Sequence, residues 1–204
     1  MPGGQAAEVL GISSQKVQFA VNPYYATGLM YNDMNIILKI LYIFFFIILA
    51  VALFKFFLAL LLIGLILLWL RTLQMKMEPN QKDFLQGGLP NPKPDGLYHG
   101  SIGFDVSWVG KKFDSESSTG INIFKDKKGI QFEKYPFITS VGRGLFDENV
   151  FVLKIDYNVK GNPFWIRWIL DEIVQVAPGE YLGKMQLRII PGLPFSVLYF
   201  EIKK

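Results

Sequence analysis

The chain holds few side chains of the types that catalyse reactions or bind metal ions. His99 is its single histidine and there is no cysteine, which excludes a site built from two histidines or from a thiolate. A lone histidine beside Tyr98 can bind haem, orient a ligand or make a structural hydrogen bond, and the last role is the most common. Because the sequence also lacks a Gly-x-Ser-x-Gly elbow, a Walker loop and a dinucleotide-binding pattern, we predict no enzymatic activity, no metal and no cofactor.

The charged residues favour local pairing over catalysis. Asp171 and Glu172 are adjacent carboxylates, but Arg167 lies four residues before Asp171 and favours an ion pair with it. Lysines gather between residues 111 and 128, where they form either a basic rim facing anionic headgroups or a solvated loop surface. From residue 84 onward there are 15 Lys and Arg against 13 Asp and Glu, so we predict no nucleic-acid partner.

Residues 36–70 form a strongly apolar run that is interrupted only by Lys39, Lys55 and Gly64. About 20 apolar residues cross a bilayer, and this run begins too late and is too long for a cleaved signal peptide. We therefore predict a transmembrane helix over residues 35–72. As one straight helix the run is about 52 Å long, more than a hydrocarbon core of about 30 Å, so we expect a tilted single helix, with a hairpin broken near Lys55 as the alternative.

Lys55 lies in the middle of this run, where a cation costs about 3 kcal/mol within a bilayer. Either its ammonium group reaches the headgroup region, or it pairs with a polar group of another integral membrane subunit. Trp69, toward the end of the run, is either an interfacial anchor or apolar filling. We name Lys55 and Trp69 as candidate contacts with a partner inside the membrane.

The charges that flank the run indicate an orientation. Arg71, Lys76 and Lys82 follow it, whereas Lys16 alone precedes it. The positive-inside rule therefore predicts a single-pass protein of the inner (cell) membrane whose C-terminal domain is cytoplasmic.

The rest of the chain divides by composition. Residues 1–34 form a leader with only a weak helical pattern, which lies along the membrane or a partner or is irregular. Residues 73–95 are dense in Pro, Gly and Asn, so we predict an irregular linker there. Residues 96–204 form the C-terminal domain.

The C-terminal domain has the pattern of an antiparallel barrel. Short runs rich in aromatic and β-branched residues alternate with turn residues at intervals of about ten. Eight such strands can close on one another, which removes the exposed edges. The predicted strands are 97–104, 105–110, 120–125, 130–135, 150–157, 172–176, 181–190 and 195–202.

Residues 162–171 are predicted to form one short helix, with Asn162 as its N-cap and Pro163 in its first turn. Its aromatic residues either pack in the core, which is the commoner case, or contact the membrane interface or a lipid pocket. We name five candidate residues for binding an apolar ligand, which are Tyr98, His99, Trp108, Trp165 and Trp168.

Four segments carry a resemblance to a known group of proteins. Residues 96–100, 108–113, 120–124 and 171–184 resemble uncharacterised bacterial proteins that form a calycin-like, lipocalin-type small β-barrel. The resemblance covers about residues 95–204 and implies a barrel that binds varied apolar ligands or none. The expected fold class is therefore membrane-anchored all-β, with an N-terminal transmembrane helix followed by a calycin-like antiparallel barrel with one short helix.

Three functional hypotheses follow from these patterns. The first is a non-catalytic accessory subunit whose helix and barrel dock on other integral membrane subunits. The second is a barrel, tethered to the lipid bilayer, that binds a lipid or another apolar ligand. The third and weakest is an enzyme that uses His99 with a carboxylate.

Overall fold

The computed structural model describes the backbone of residues 23–103 and 106–204, with side chains from residue 35 onward. The chain divides into two compact units, Met1–Ala59 and Leu60–Lys204. Its helices are α1 (Pro23–Met75) and α2 (Pro79–Gln86), and a short 3-10 helix spans Ile166–Trp168. The strands are β1 (Gly96–Ser101), β2 (Trp108–Asp114), β3 (Thr119–Lys125), β4 (Gln131–Arg143), β5 (Phe151–Asp156), β6 (Ile169–Ala177), β7 (Glu180–Ile190) and β8 (Leu193–Lys203).

Helix α1 is continuous over 53 residues, because its interior contains no proline to interrupt the backbone hydrogen bonds. The hairpin alternative near Lys55 is therefore wrong. The segment Asn35–Met75 is long and apolar enough to cross a membrane, with a mean hydropathy of 3.0 in its most apolar window. The helix also extends beyond the predicted span of 35–72 on both sides. The part of the predicted leader that covers residues 1–22 lies outside the described residues.

The eight strands close into an antiparallel barrel in which every strand pairs with its neighbours in sequence. The last strand returns to the first, with His99 opposite Lys203 and Ser101 opposite Glu201. The prediction of an eight-stranded antiparallel barrel is confirmed. Its two ends are distinct: the mouth end carries the β1–β2, β3–β4, β5–β6 and β7–β8 connections, and the closed end carries the other three connections.

The predicted helix over 162–171 is mostly wrong, since only Ile166–Trp168 is helical and β6 begins at Ile169. Asn162 does not cap a helix, because its amide group donates to the carbonyl oxygens of Pro136 and Tyr157, each at 2.8 Å. Leu170 and Asp171 are drawn into the sheet instead, where they pair with β5 and β7.

Apolar side chains fill the closed-end half of the barrel. A single cluster joins buried residues of β1, β2 and β4–β8, with aromatic rings packed edge to face, and it extends to Tyr157 at the mouth-end terminus of β5. Its buried members are Tyr98, Phe113, Phe137, Leu153, Ile155, Tyr157, Ile173, Tyr181, Phe200 and Ile202.

The segment predicted to be an irregular linker differs from that expectation. Pro79 starts α2, because proline suits the first position of a helix, where no backbone donor is needed. Phe84 on this helix is fully buried, and the backbone of Gly88 pairs with Gln175 of β6. Burial of apolar surface outside the barrel therefore stabilises residues that composition alone marks as a linker.

The last turns of α1 and helix α2 pack on the outer face of strands β6–β8. Thr72 accepts a hydrogen bond from the backbone of Ser196 at 3.0 Å, and Arg71 donates to the carbonyl oxygen of Val197 at 2.8 Å. Lys184 on β7 donates to Gln81 of α2 at 2.7 Å. These polar contacts, two of them buried, give the barrel and residues 60–75 one defined arrangement within the second unit.

Candidate ligand site in the barrel

A cavity of about 220 Å³ occupies the mouth-end half of the barrel. Its outer residues, such as Ile102, Ile166 and Leu198, are half-buried, whereas its floor is fully buried. Accessibility therefore decreases from the mouth end inward. The lining residues are Ile102, Trp108, Lys111, Asn122, Phe124, Tyr135, Tyr157, Ile166, Ile169, Asp171, Met185, Leu198 and Phe200.

The floor is a compact polar cluster inside an otherwise apolar chamber. Lys111 on β2 donates to Asp171 on β6 at 2.8 Å, to Asn122 on β3 at 3.0 Å and to the hydroxyl oxygen of Tyr157, which follows β5. Tyr157 in turn lies 3.0 Å from the same oxygen of Asp171. Four different strand regions therefore converge on one ion pair, here called the floor cluster.

The ammonium group of Lys111 is held by charge and by aromatic faces. Burial lowers the pKa of Lys111, and the carboxylate of Asp171 opposes that effect. The rings of Trp108 and Phe200 lie with their centroids 5.3 and 5.1 Å from the ammonium nitrogen, close enough for cation–π attraction. Burial also raises the pKa of Tyr157, so its phenol remains neutral.

Asp171 is only half satisfied. Its Oδ2 atom accepts from Lys111 and Tyr157, but its Oδ1 atom is buried and has no hydrogen-bond partner among the described residues. A buried carboxylate oxygen without a donor loses its hydration with no compensating bond, at a cost of about 1–3 kcal/mol. The site therefore contains an unfilled requirement for a hydrogen-bond donor.

Glycines shape the walls by giving room to the aromatic rings. A Cβ atom built on Gly183 would lie 2.1 Å from the ring of Phe200, and one built on Gly100 would lie 2.3 Å from the ring of Trp108. Both rings line the cavity. The absence of a side chain at these two positions lets the rings lie against the backbone rather than across the chamber.

The structure distributes the five predicted ligand residues over four places. Trp108 lines the cavity, and Tyr98 lies deeper, in the packed core. His99 is exposed on the outside of β1. Trp165 and Trp168 are 54% and 40% exposed at the mouth end and do not line the cavity.

The predicted membrane contacts lie on α1. Lys55 is exposed in the unit Met1–Ala59, among exposed apolar side chains. Trp69 belongs to the second unit, where its ring centroid lies 6.5 Å from that of Phe146 in the β4–β5 loop. Trp69 thus contacts the barrel unit on one side and is 38% exposed.

Sequence reasoning missed the floor cluster. The sequence places Lys111 in a surface group of lysines and pairs Asp171 with Arg167, and that pairing is wrong. Arg167 instead donates to the backbone oxygen of Asn162 at 2.9 Å. No sequence signal marked the pair, because the predicted strands 105–110 and 172–176 each stop one residue short of Lys111 and Asp171, which the structure places within β2 and β6.

No protein-family model matches the sequence, and no curated protein matches it. Among solved structures, the crystal structure of a protein from Thermomonospora curvata is similar, with a TM-score of 0.41. The two chains are 16% identical, and the alignment covers 58% of this chain and 79% of that chain. This degree of similarity carries no argument about function. The resemblance to calycin-like barrels stays a prediction.

Proposed function

We propose that this protein is a membrane-tethered, calycin-like barrel that binds a small, mainly apolar ligand inside its mouth-end half. The observation that carries the proposal is the cavity of about 220 Å³, whose apolar walls surround one polar floor cluster. Ligand sites combine predominantly apolar walls with a few polar groups that fix orientation. An engineered cavity of about 150 Å³ in another protein holds benzene, so this volume suits a single ring or a short chain.

The direction of α1 supports entry of the ligand from a bilayer. Thr72 contacts Ser196 and Met75 contacts Tyr199, so the end of α1 runs parallel to β8. Because β8 begins at the mouth end, the residues of α1 that precede Thr72 and belong to the unit Leu60–Lys204 extend toward that end. Leu60, Ile63, Ile66, Leu67 and Leu70 are each between 51% and 59% exposed.

The mouth end also has the composition of a surface that contacts lipid. Phe164, Trp165 and Trp168 pack together in the β5–β6 connection, with ring centroids 4.9 and 5.4 Å apart, and remain exposed. Lys127 and Lys128 are exposed in the neighbouring β3–β4 connection. Aromatic and basic side chains together favour the interface of an anionic bilayer. We call these three aromatic residues and two lysines the collar.

We further propose that the anchor lies in the inner (cell) membrane and that the barrel is cytoplasmic. Arg71, Lys76 and Lys82 support this orientation, because cationic residues next to a transmembrane helix favour the cytoplasmic side.

Ligand binding is tested with toluene as the probe and the full chain in lipid nanodiscs. The indole N–H of Trp108, which donates to Asn122 at 3.1 Å, reports on the cavity through its nuclear magnetic resonance signal. We expect toluene to shift this signal saturably, and Met185→Trp to abolish the response by filling the cavity. The control Ile189→Trp places the same side chain on an exposed site of the same strand and should leave the response intact.

Two results would contradict the proposal. One is a wild-type Trp108 signal that does not respond to toluene. The other is a response that persists unchanged in Met185→Trp.

A second candidate function, docking as an accessory subunit on other membrane proteins, is favoured by Lys55. This exposed cation lies among exposed apolar residues of α1, where an acidic or polar partner side chain would offset its desolvation. Native mass spectrometry from mild detergent should then find a partner that Lys55→Leu loses and Lys39→Leu retains. A clean monomer without partners would contradict this function.

A further inference from the structure

We infer that the ligand carries a neutral hydrogen-bond donor, a hydroxyl group, which it donates to Oδ1 of Asp171. This inference rests on the proposed ligand-binding function and deepens it. The ligand class is an alcohol or a phenol of small size, with its hydroxyl group on the floor cluster and its apolar part toward the mouth end.

The floor cluster has acceptor capacity to spare but no free cationic donor. Lys111 has three ammonium protons, and Asp171, Asn122 and Tyr157 supply three acceptors within hydrogen-bond distance. Oδ1 of Asp171 has no donor among the described residues, although the Asp171 side chain is only 6% exposed. Because Oδ1 itself has almost no accessible surface, a small rotation of the Asp171 side chain brings it to the cavity, and a ligand then gains a new hydrogen bond by donating, not by accepting.

Charge narrows the choice of donor. Lys111 and Asp171 together form a neutral ion pair. A ligand carboxylate would bring a second negative charge next to Asp171, and a ligand ammonium would bring a second positive charge next to Lys111. Like charges in a buried site are costly, so a neutral hydroxyl group fits the floor better than either ion.

The apolar walls of the cavity determine the chemistry of the rest of the ligand. Phe124, Ile166, Met185 and Leu198 contribute only apolar side chains, so no second polar group of the ligand finds a partner there. The ligand is therefore amphipathic, with one polar end, and a chain too long for about 220 Å³ would extend through the mouth toward the collar.

The inference is tested with two isomers of equal composition, benzyl alcohol and anisole. Both have an aromatic ring and one oxygen, but only benzyl alcohol has a proton to donate. Dissociation constants are measured from the Trp108 signal of the full chain in nanodiscs, with protein-free nanodiscs as the blank for partitioning. We expect wild type to bind benzyl alcohol about tenfold or more tightly than anisole, as a hydrogen bond to a charged acceptor implies.

Asp171→Asn replaces the unpaired hydrogen-bond acceptor with a donor and leaves the shape of the side chain almost unchanged. The Asn oxygen takes the place of Oδ2 beside Lys111, so its NH₂ group replaces Oδ1 and turns the acceptor into a donor. The ratio of the dissociation constants of anisole and benzyl alcohol should then fall toward one. Asp156→Asn, which alters a carboxylate outside the cavity that pairs with Arg188, should keep the wild-type preference.

The outcomes separate this inference from the proposed function. If toluene, anisole and benzyl alcohol all leave the Trp108 signal unchanged, the ligand-binding function fails. If all three bind but wild type does not distinguish the two isomers, the function stands and the hydroxyl inference is overturned, with water satisfying Asp171 instead. Since the wild-type ratio alone decides this point, the test remains valid even if Asp171→Asn does not fold.

Discussion

At the scale of single residues, the floor cluster ties function to stability. Lys111 and Asp171 form an ion pair with side chains only 3% and 6% exposed. Burying two charges costs several kcal/mol for each ion, and their attraction and hydrogen bonds offset that cost only while both are present. The pair therefore tolerates joint replacement better than the loss of one member.

Lys111→Met should lower the free energy of unfolding by about 3–5 kcal/mol, because it leaves the Asp171 carboxylate buried without its cation. Adding Asp171→Asn should restore most of this loss, since no uncompensated charge then remains. Urea unfolding of the full chain measures both effects. Lys112→Met is the matched control: its pair with Glu133 has side chains 58% and 52% exposed, and we expect a change below about 1 kcal/mol. Equal losses in the single and double variants would refute the coupling.

Glu172 links the stability of the outer face to pH. Burial raises its pKa above the usual 4.5, and Leu145, Gln186, Lys154 and Lys184 oppose the shift through hydrogen bonds or charge. The folded protein holds this proton more tightly than the unfolded chain. The contribution of Glu172 to the free energy of unfolding is therefore largest below pH 4.5, and it is lost as pH rises through the folded-state pKa.

Comparison with Glu172→Gln isolates this effect. The free energy of unfolding of wild type, relative to that of Glu172→Gln, should be larger at pH 4 than at pH 7. Urea titrations at several pH values measure the difference. A difference that is constant, or that grows with pH, would contradict a raised pKa.

At the scale of the strands, the barrel depends on contacts between glycines and rings. Gly183 on β7 lies under Phe200 on β8, and the two residues are opposite each other in the pairing of these strands. Phe200 in turn contacts Trp108 edge to face, with centroids 5.7 Å apart. Gly183 therefore gives room to Phe200, and the edge-to-face contact connects Phe200 to the second cavity ring, Trp108, for which Gly100 gives room.

Gly183→Ala should destabilise the barrel by about 1–3 kcal/mol, because the new methyl group overlaps the ring of Phe200. It should also weaken toluene binding, since the displaced ring enters the cavity. Gly142→Ala is the control, because its methyl group would meet only the flexible end of Lys154, at 3.3 Å or more. Thermal unfolding and toluene titration follow the two effects. Unimpaired binding in a destabilised Gly183→Ala variant would show that the ring moves elsewhere.

At the scale of the whole molecule, the two ends of the barrel differ in chemistry. The mouth end carries the collar and the cavity, whereas aromatic and aliphatic side chains pack the closed end. In the proposed arrangement the collar lies at the membrane interface. Its lysines meet the lipid headgroups, and Trp165 and Trp168 lie near the acyl chains.

Lipids with brominated acyl chains test this orientation by quenching tryptophan fluorescence. In nanodiscs of such lipids, Trp165→Phe combined with Trp168→Phe should reduce the quenched fraction of the emission. Trp108→Phe removes an interior tryptophan and should not reduce that fraction. If the double variant were quenched to the same extent as wild type, the collar would not face the membrane.

Much of the architecture was predictable from sequence, because the barrel depends on local alternation of side chains. Residues 150–157 and 184–189 alternate in polarity; the first segment contains β5 with one residue to spare at each end, and the second lies within β7. The floor cluster was not predictable, since Lys111 and Asp171 are 60 residues apart and only barrel closure brings them together. Likewise the formation of α2 depends on the burial of Phe84 against the outer face of the barrel, which the composition of the segment does not predict.

The contact between Thr72 and Ser196 also bears on how the protein is made. These residues are separated by 124 positions, and β8 leaves the ribosome after the other seven strands of the barrel. At typical synthesis rates of about 5–20 residues per second, Ser196 is synthesised about 6–25 seconds after Thr72. During that interval the apolar helix must already be protected by a bilayer or a chaperone. In the proposed membrane-tethered arrangement, insertion of the nascent chain precedes closure of the barrel.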